Sequence, residues 1–346
     1  MKAMVLRTPA PSTAHPLTLE EVEDPTPGDD EVLVQVERCG VCRTDLHVVE
    51  GDLPPIRESV IPGHEVVGRV VRAGRGVRGL SEGTRVGVPW LGRTCGRCEY
   101  CLSSRENLCD HKEFTGYSRN GGYAEYVVGT EGYVLPLPSG DPTRWAPMMC
   151  AGIIGYRAFK LAGPPPGGRV GFFGFGGSAH LTLQLAGRLG YETVAFSRNP
   201  RHLDLATSLG ASETVLTSSK ADADHAPRLD SAIVFAPAGE IVRDALARLK
   251  KGGTIAIAAI HMTPIPVLDY DRLLFGERRI VSVEANTRQD AREFIGLATR
   301  LRLESTVQLR PLHDANEALA DLGRGRVSGA LVLDCTAPAP GLDRAT

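Results

Sequence analysis

Short runs in which apolar and polar residues alternate fill the chain up to about residue 150. Glu31–Val36 places its three valines on one face, and Glu65–Val71 and Thr84–Val88 have a similar character. Such alternation is typical of half-buried β-strands. Turn-forming pairs such as Pro-Gly and Asp-Asp separate the runs. The pattern therefore predicts a β-rich domain in the first part of the chain.

From about Gly152 the pattern changes to compact apolar runs alternating with segments of helical periodicity. Alternating strands and helices predict a doubly wound parallel sheet, and hence an α/β fold class for this part. The predicted strands are Arg169–Phe173, Thr193–Phe196, Ala232–Phe235 and Thr254–Ile260, and the predicted helices are Ser178–Leu189, His202–Leu209 and Ile241–Leu249.

The last part of the chain is less regular. We expect Gly252-Gly253 to end the third helix, since glycine favours helix C-termini. A further helix is predicted after about Arg288 and a final apolar strand at Ala330–Leu333. Arg279–Val283 predicts a strand that could lie at the edge or in the interior of the sheet. Residues 336–346 are expected to form a loose tail.

Length, net charge and cysteine content limit the possible domain number, partners and compartment of the protein. A chain of 346 residues exceeds the usual size of a single core, so two domains are expected. The net charge of −2 gives no electrostatic reason to expect nucleic acid or an anionic membrane as partner. Neither a signal peptide nor an apolar run long enough to span a membrane is evident. Eight clustered cysteines suggest a reducing compartment, and we expect a cytoplasmic protein.

Four cysteines lie close together in the pattern C-x2-C-x2-C-x7-C. Thiolates are soft ligands, and four of them complete a tetrahedral zinc site with no open position. The sequence therefore predicts a structural zinc. Free or disulfide-bonded cysteines and an iron–sulfur cluster are the alternatives. The four residues are Cys95, Cys98, Cys101 and Cys109.

A second candidate metal site is dispersed along the chain. Cys42, His64 and Cys150 offer three ligands, which would leave a fourth position for water or substrate, as in catalytic zinc sites. Taken singly, each could equally be an ordinary core residue. Asp45 is a candidate for orienting His64 through its second ring nitrogen. Glu65 is either a transient fourth ligand or a buried charge near the site.

A glycine-rich loop follows the strand Arg169–Phe173 and precedes a helix. In that context the pattern G-x-G-x-x-A predicts a dinucleotide-binding turn. The first glycine allows the tight turn, the second allows close approach of a pyrophosphate, and the small last residue allows helix and strand to pack. The helix N-terminus would receive the negative charge. The loop residues are Gly174, Gly176, Gly177, Ser178 and Ala179.

The end of the next strand bears on which cofactor binds. NAD-binding folds usually carry an acid there, which bonds the ribose hydroxyls. Residues 195–201 contain none. Ser197, Arg198 and Arg201 could instead hold a 2′-phosphate, because guanidinium groups bind phosphate oxygens in pairs. NADP(H) is therefore favoured over NAD(H), although these arginines could also be merely solvated.

These motifs together resemble the zinc-dependent medium-chain alcohol dehydrogenases over nearly the whole chain. The segment Gly63-His64-Glu65-x2-Gly68-x5-Gly74-x2-Val77 is similar to the zinc signature of that family, and the four-cysteine lobe follows at the expected place. Two features depart from the family: Ala179 replaces the usual last glycine of the loop, and the ribose-binding acid is missing. Cys150, rather than a glutamate, argues against the polyol dehydrogenase branch.

The resemblance implies roles for individual residues. Cys42, His64 and Cys150 would bind a catalytic zinc, and the four-cysteine lobe a structural zinc. Thr44 would hydrogen-bond the substrate alcohol, and His47 would pass its proton through the cofactor ribose to solvent. The cofactor pyrophosphate would contact Arg43, and the substrate pocket would be lined by Trp90 and Leu53.

The resemblance also implies the architecture. Residues 1–150 and 287–346 would form a catalytic domain with a GroES-like, partly open β-barrel and a zinc lobe at 89–112, and residues 151–286 a Rossmann domain. The expected activity is hydride transfer between primary aliphatic alcohols or aldehydes and NADP(H) or NAD(H), in a dimer or tetramer. Alternatives are an aromatic or allylic aldehyde reductase similar to cinnamyl alcohol dehydrogenases and, more remotely, a non-enzymatic nucleotide-binding zinc sensor of redox state.

Overall fold

The computed structural model describes residues 1–219, 221 and 225–338, and the chain divides into two compact units. The first unit contains residues 1–150, 287–292 and those from Val307 onwards; the second contains residues 151–286 and 293–306. The predicted second segment of the catalytic domain thus differs from the structure, because Glu293–Thr306 cluster with the second unit. Residues 339–346, the end of the predicted tail, lie outside the described residues.

The first unit consists mainly of β-strands, numbered here along the whole chain. They are β1 (Lys2–Leu6), β2 (Leu17–Glu21), β3 (Glu31–Val41), β4 (Glu65–Ala73), β5 (Arg85–Val88), β6 (Leu91–Arg93), β7 (Glu113–Phe114), β8 (Tyr126–Thr130), β9 (Leu135–Pro136), β16 (Val307–Pro311) and β17 (Ala330–Asp334). The main sheet has the order β16-β17-β3-β4-β5-β9, with β8 also paired to β3. Two further pairs, β1 with β2 and β6 with β7, are antiparallel.

The long strand β3 explains how this sheet curves. Its first half pairs with β8 and its second half with β17, while β4 follows it along its whole length. The register between β3 and β4 shifts at Leu33/Val34 and again at Val36/Arg38. Such irregularities increase the local twist and bend a strand. The bent strand can therefore belong to two parts of a partly open barrel, whose core is rich in valine.

Helices in the first unit are short. They are α1 (Arg43–Glu50), α2 (Glu99–Leu102), α3 (Pro142–Trp145) and α9 (Ala315–Gly323), with single 3₁₀ turns at Ser12–Ala14, Glu106–Leu108, Glu131–Tyr133, Pro147–Met149 and Leu312–Asp314. Helix α1 follows β3 directly, with Cys42 as its N-cap residue. No helix within the described part of the chain is both long and apolar enough to cross a membrane.

The second unit contains a parallel sheet with helices on both faces. Its strands are β10 (Arg169–Phe173), β11 (Glu192–Ser197), β12 (Glu213–Leu216), β13 (Leu229–Val234), β14 (Leu249–Ile257) and β15 (Arg279–Ser282). Its helices include α4 (Ala151–Ala162), α5 (Gly177–Arg188), α6 (Pro200–Ser208), α7 (Gly239–Arg248) and the part of α8 (Arg288–Arg300) that starts at Glu293, together with a π-helical turn at Tyr270–Leu274.

The strand order β12-β11-β10-β13-β14-β15 is the order of a Rossmann fold, and all five pairings are parallel. The side chains of adjacent residues in one strand pack on opposite faces of the sheet. Phe172 packs in the core with α4, α5 and α6, whereas Phe173 packs in the core with α7. A strand that is buried on both faces consists of consecutive apolar residues. Such runs are visible in the sequence, and these strands could therefore be predicted from it. The predicted doubly wound sheet is confirmed.

One local prediction is wrong. Gly252-Gly253 does not end a helix, because α7 ends at Arg248 and β14 begins at the next residue. Gly252 lies inside β14 with a φ of 77°, and its N–H donates to the Gly276 carbonyl. The glycines therefore shape an irregular strand start, beside the shift of register between β13 and β14 at Leu229/Ser231. Glycine is common at helix C-termini and also in irregular strands, so its position alone did not distinguish the two.

Gly68 provides a test of the packing between β3 and β4. A Cβ atom at this position would lie 2.1 Å from the Gln35 carbonyl oxygen and 2.8 Å from Val34 Cγ1. Backbone cannot move aside cheaply, so we expect Gly68→Ala to lower the free energy of unfolding by about 1–3 kcal/mol. Urea-induced unfolding would measure the change.

The matched control is Gly79→Ala in the same unit. There the nearest atom to an added Cβ is Glu131 Oε1 at 3.4 Å, so the substitution should change stability by less than about 0.5 kcal/mol. Equal stability of the two variants would contradict the close approach of the strands at Gly68.

Candidate functional site

The junction of β3 and α1 places the first predicted metal ligand. Cys42 is the N-cap residue of α1, and its backbone N–H donates to Asp45 Oδ2 at 2.9 Å. This is the carboxylate half of a capping box, which fixes the first turn of a helix. The Asp45 side chain is buried and therefore turned inwards. The N-terminus of α1 thus holds a thiol and a carboxylate in a defined relation.

The second ligand lies where the chain enters β4. Gly63 has a φ of 96°, a conformation that favours glycine, and it turns the chain so that His64 is completely buried. The hydrogen bond between His64 Nδ1 and Asp45 Oδ1 measures 2.9 Å. His64 Nε2 is buried and has no hydrogen-bond partner within the described part of the chain. An orphaned buried nitrogen of this kind needs an explanation, and a metal ion would supply it.

The third ligand completes a cluster that fits one zinc ion. The sulfurs of Cys42 and Cys150 lie 3.9 Å apart, and the ligand atoms of Cys42, His64 and Cys150 all lie within 4.8 Å of one another. Zinc–sulfur bonds of about 2.3 Å at the tetrahedral angle would place two sulfurs about 3.8 Å apart. The observed spacing therefore suits two ligands of one ion, and it is too long for a disulfide.

The electrostatics of the cluster agree with a cation site. A hydrogen bond from the Cys150 thiol lowers the pKa of Cys42 well below its usual value, and His64 contributes in the same direction against burial. Burial lowers the pKa of His64, but the charge and hydrogen bond of Asp45 outweigh it and raise that pKa well above its usual value. The lowered pKa of Cys42 favours the thiolate form that binds a metal ion, and any proton on the second ring nitrogen of His64 would have to leave when an ion binds.

Glu65 lies next to His64 but outside the group of three ligand atoms. It is the first residue of β4 and is 2% exposed. Its carboxylate lies against the backbone of Gly40, since a Cβ added there would be 1.9 Å from Glu65 Oε2. In this structure the side chain therefore lies as a buried charge beside the cluster, and its role as a transient fourth ligand stays a prediction.

Helix α1 also carries the residues predicted for proton transfer. Thr44 and His47 are three positions apart, so they lie on one face of the helix, and both are largely buried. His47 Nδ1 lies 2.7 Å from Asp52 Oδ2. The Asp52 side chain is 40% exposed. This acid was missed by the sequence reasoning, although its position just beyond the helix, after Gly51, was a possible signal.

The predicted pocket residues lie in an aromatic cluster and beside it. The Trp90 ring meets His64 edge-on at 4.9 Å and stacks on Phe114 at 4.5 Å and on Tyr117 at 6.1 Å. Leu53 does not belong to the stack, but it lines a small cavity together with Tyr117. Phe114 and Tyr117 were missed by the sequence reasoning, because nothing local indicates that they stack on a tryptophan more than 20 residues earlier.

The four-cysteine lobe forms a compact second cluster. Its sulfurs all lie within 4.8 Å of one another, and those of Cys95 and Cys101 are 3.9 Å apart. All eight cysteines of the chain are free. One tetrahedral ion fits this spacing, whereas a cluster of several iron atoms would hold the sulfurs farther apart. Hydrogen bonds from the backbone of Arg97 and Cys98 lower the pKa of Cys95 to about 6, which favours the thiolate form that binds metal.

An ion pair between the buried Glu106 carboxylate and the partly exposed Arg288 anchors the lobe within the first unit. Glu106 is 3% exposed and accepts hydrogen bonds from the backbone N–H and the Nε of Arg288. The guanidinium of Arg288 also lies 5.2 Å from the ring centre of Tyr133. Burial raises the pKa of Glu106, but the hydrogen bonds and the charge of Arg288 outweigh burial and hold that pKa below its usual value. The lobe is therefore attached by specific contacts as well as by covalent continuity.

The glycine loop joins β10 to α5 in the second unit. Gly174 has a φ of 86°, and a Cβ there would lie 2.9 Å from Ala236. At Gly176, the N-cap residue of α5, an added Cβ would meet no atom within 4 Å. That open space beside the first turn, which contains Gly177, Ser178 and the buried Ala179, fits the close approach of a pyrophosphate.

The residues predicted to select the cofactor lie beside this loop. Because β11 pairs with β10, the end of β11 adjoins Gly174, whose N–H donates to the Phe196 carbonyl. Ser197 is largely buried, and its hydroxyl oxygen accepts from the N–H of Asn199, which leaves its proton free to donate. Arg198 and Arg201 are exposed. The exposed Arg43 belongs to the first unit and donates to the Leu322 carbonyl.

Comparison with known families and proteins gives consistent matches. Residues 28–139 match the alcohol dehydrogenase GroES-like domain family, and residues 166–300 match the zinc-binding dehydrogenase family. A curated relative from Mycobacterium tuberculosis, named "Probable alcohol dehydrogenase AdhA", is 48% identical over 340 residues, which cover 96% of this chain and 97% of the relative.

Solved structures show the same fold. A cinnamyl alcohol dehydrogenase from Sorghum bicolor superposes with a TM-score of 0.90 at 26% identity, covering 98% of this chain and 99% of that one. An acetophenone reductase from Geotrichum candidum in complex with NAD gives a TM-score of 0.86 at 27% sequence identity, with 96% of each chain covered. A protein from Sinorhizobium meliloti, described as "a putative zinc-binding dehydrogenase" and bound to NADP, gives a TM-score of 0.86 at 27% identity, covering 96% of this chain and 98% of that one.

The two clusters make separable predictions about metal. We expect the wild-type chain to hold two zinc ions, and Cys42→Ser and Cys98→Ser to hold one each. Only Cys98→Ser should lower the melting temperature, by about 5 °C or more, because four-thiolate sites contribute directly to folding. Elemental analysis and thermal melting would measure both properties.

Cys335→Ala is the matched control, since Cys335 is buried but belongs to neither cluster. It should retain both ions. An equal loss of stability in Cys42→Ser and Cys98→Ser would contradict the division into an open and a closed site.

Proposed function

The chain belongs to the zinc-dependent medium-chain alcohol dehydrogenases, and on that premise we propose that it catalyses reversible hydride transfer between primary aliphatic alcohols or aldehydes and a nicotinamide cofactor. The observation that carries this proposal is the cluster of Cys42, His64 and Cys150, which among the described residues offers three ligands to an ion. A three-ligand site keeps one position for substrate. A zinc ion bound there would act as a Lewis acid towards the substrate oxygen, and the nicotinamide would exchange the hydride.

The residues around the cluster have matching roles in this proposal. Thr44, in the first turn of α1, would hydrogen-bond the substrate oxygen and take its proton. His47, one turn later, would receive that proton, and its contact with Asp52 offers a route to solvent in addition to the cofactor ribose. Asp45 would hold His64 in one ring orientation. The roles of Arg43 with the pyrophosphate and of Leu53 and Trp90 in the pocket stay proposals from the resemblance.

Trp90 supports a preference for unbranched substrates, because its bulky ring lies against the ligand His64. The same ring supports a second candidate. The stack of Trp90, Phe114 and Tyr117 offers flat aromatic faces near the site, and a cinnamyl alcohol dehydrogenase shares the fold. Reduction of aromatic or allylic aldehydes is therefore the alternative activity.

For the cofactor, we propose NADP(H) in preference to NAD(H). The end of β11 presents two exposed guanidinium groups and a serine hydroxyl beside the glycine loop, and no acid among residues 195–201. A 2′-phosphate is doubly charged and would pair well with these donors. An acid that bonds the ribose hydroxyls would instead repel it.

A homo-oligomer is proposed on the basis of the second unit. Strand β15 lies at one end of the parallel sheet formed by the described residues. Apolar side chains shortly before it are well exposed, including Val267 at 96%, Phe275 at 62% and Tyr270 at 60%. Open sheet edges and grouped apolar side chains are typical of association surfaces. The mass in solution would distinguish a dimer from a tetramer. A reducing cytoplasm is the proposed compartment, because all eight cysteines are free.

Turnover should be highest with unbranched primary alcohols or their aldehydes. The measurement is nicotinamide absorbance across a series of chain length, branching and aromatic substitution, with the zinc-loaded protein. Cys42→Ser should lower kcat/KM at least about a thousandfold, since Lewis-acid catalysis contributes several kcal/mol. Cys335→Ala should retain wild-type rates.

A clear preference for cinnamyl or benzyl substrates would replace the primary proposal by the alternative. Absence of turnover with every substrate and both cofactors, in protein that holds two zinc ions, would favour the non-enzymatic sensor.

The arginines at the end of β11 can be tested separately. We expect Arg198→Ala to lower kcat/KM with NADPH by about 10- to 100-fold, the equivalent of one lost charge-assisted contact, and to change it by less than about twofold with NADH. Steady-state kinetics with each cofactor would measure this. Arg300→Ala is the control, because Arg300 is also exposed in the second unit but ends α8.

An equal effect on both cofactors would contradict a role in recognising the 2′-phosphate.

A further inference from the structure

Four donors converge on the buried carboxylate of Asp45, and one of them comes from outside the ligand-bearing turns. Oδ1 accepts from the Gly63 N–H at 3.1 Å and bonds His64 Nδ1 at 2.9 Å. Oδ2 accepts from the Cys42 N–H at 2.9 Å and from the Tyr123 hydroxyl at 3.2 Å. Asp45 is 1% exposed and Tyr123 is fully buried, so water does not compete for these positions.

The tyrosine is held in place by its own backbone. The N–H of Tyr123 donates to the Pro62 carbonyl at 3.0 Å, and its carbonyl accepts from the N–H of Met4 at 2.8 Å. The preceding residue, Gly122, donates to the Gly63 carbonyl at 2.9 Å. Backbone hydrogen bonds thus join residues 121–123 to residues 61–63 as an irregular ladder. They hold the phenol of Tyr123 beside the turn that precedes His64.

The ring of Tyr123 also touches this turn. A Cβ added at Gly63 would lie 2.4 Å from Tyr123 Cδ1 and 2.8 Å from Cys39 Sγ. Gly63 is therefore enclosed between the ring and a thiol, while its φ of 96° already favours glycine. The tyrosine contacts the turn through its ring and the orienting carboxylate through its hydroxyl.

A carboxylate has about four lone-pair positions, and here each oxygen has two donors. Because all its acceptor positions are occupied, the carboxylate of Asp45 is held in one rotation. Loss of the phenol would leave one buried acceptor position of the carboxylate unsatisfied and would leave Oδ2 with a single donor. The carboxylate could then turn, and with it the imidazole of His64 and the backbone at Cys42.

We propose that Tyr123 is a positioning residue for the three-ligand metal site, acting through Asp45 on His64 and Cys42. This inference rests on the metal site of the proposed function, but not on the identity of the substrate or cofactor. Residues that orient metal ligands through hydrogen bonds typically contribute 10- to 100-fold to affinity, and one that acts through another group should contribute less.

The experiment compares Tyr123→Phe with wild-type protein loaded with two zinc ions. Zinc release to a chromogenic chelator should show two phases, one for each site. The phase lost in Cys42→Ser should become about 3- to 30-fold faster in Tyr123→Phe, while the phase lost in Cys98→Ser stays unchanged. In the cobalt-substituted protein, the visible bands of the three-ligand site should shift. Tyr191→Phe is the control, because Tyr191 packs against a core of the second unit.

Release within twofold of wild type and an unchanged cobalt spectrum would overturn the proposal. Equal acceleration of both phases would also overturn it, because a purely structural defect would affect the whole unit. Zinc-loaded wild-type protein that turns over no alcohol or aldehyde would contradict the proposed function alone, since metal retention would still decide the role of Tyr123.

Discussion

The first unit is organised around a fully buried histidine whose two ring nitrogens need different partners. His64 Nδ1 bonds Asp45, and Nε2 has no hydrogen-bond partner among the described residues. This demand fixes three parts of the chain at once. Gly63 must adopt a conformation that favours glycine, Asp45 must turn inwards from the first turn of α1, and Cys42 must follow β3 as the N-cap residue of α1. Strands β3 and β4 bring these parts together as neighbours in one sheet.

The structure shows which signals in the sequence are local. Strand β10 begins and ends at the predicted residues, because a strand buried on both faces is a continuous apolar run. Cys95, Cys98, Cys101 and Cys109 lie within one lobe, so their spacing alone is informative. Asp52 and Tyr123 could not be assigned in the same way. The hydroxyl of Tyr123 meets a carboxylate 78 residues earlier, and only tertiary structure makes that pair visible. Gly252 misled because glycine serves helix ends and irregular strands alike.

The two cysteine-containing clusters solve opposite problems with the same kind of ligand. The three-ligand cluster pairs its sulfurs with a buried imidazole, and a buried carboxylate orients that imidazole. The four-cysteine lobe is nearer the surface, and backbone N–H groups at Cys95 assist its thiolate form. Burial and an ordered neighbour are needed where an open coordination position must keep its shape during chemistry. A site with four thiolates defines its own geometry, so short spacings in a tight loop suffice.

The glycine loop separates the requirements of the fold from those of a ligand. Gly174 needs a positive φ, and a side chain there would meet Ala236, so the protein itself demands glycine. Gly176 has no such neighbour within 4 Å among the described residues, and its φ of −131° suits any residue. Packing therefore does not explain the second glycine, whereas the predicted close approach of a pyrophosphate would explain it. In the sequence, both glycines belong to the same G-x-G-x-x-A motif, and nothing distinguishes their roles. The structure assigns the first to the turn and leaves the second to be explained by the cofactor.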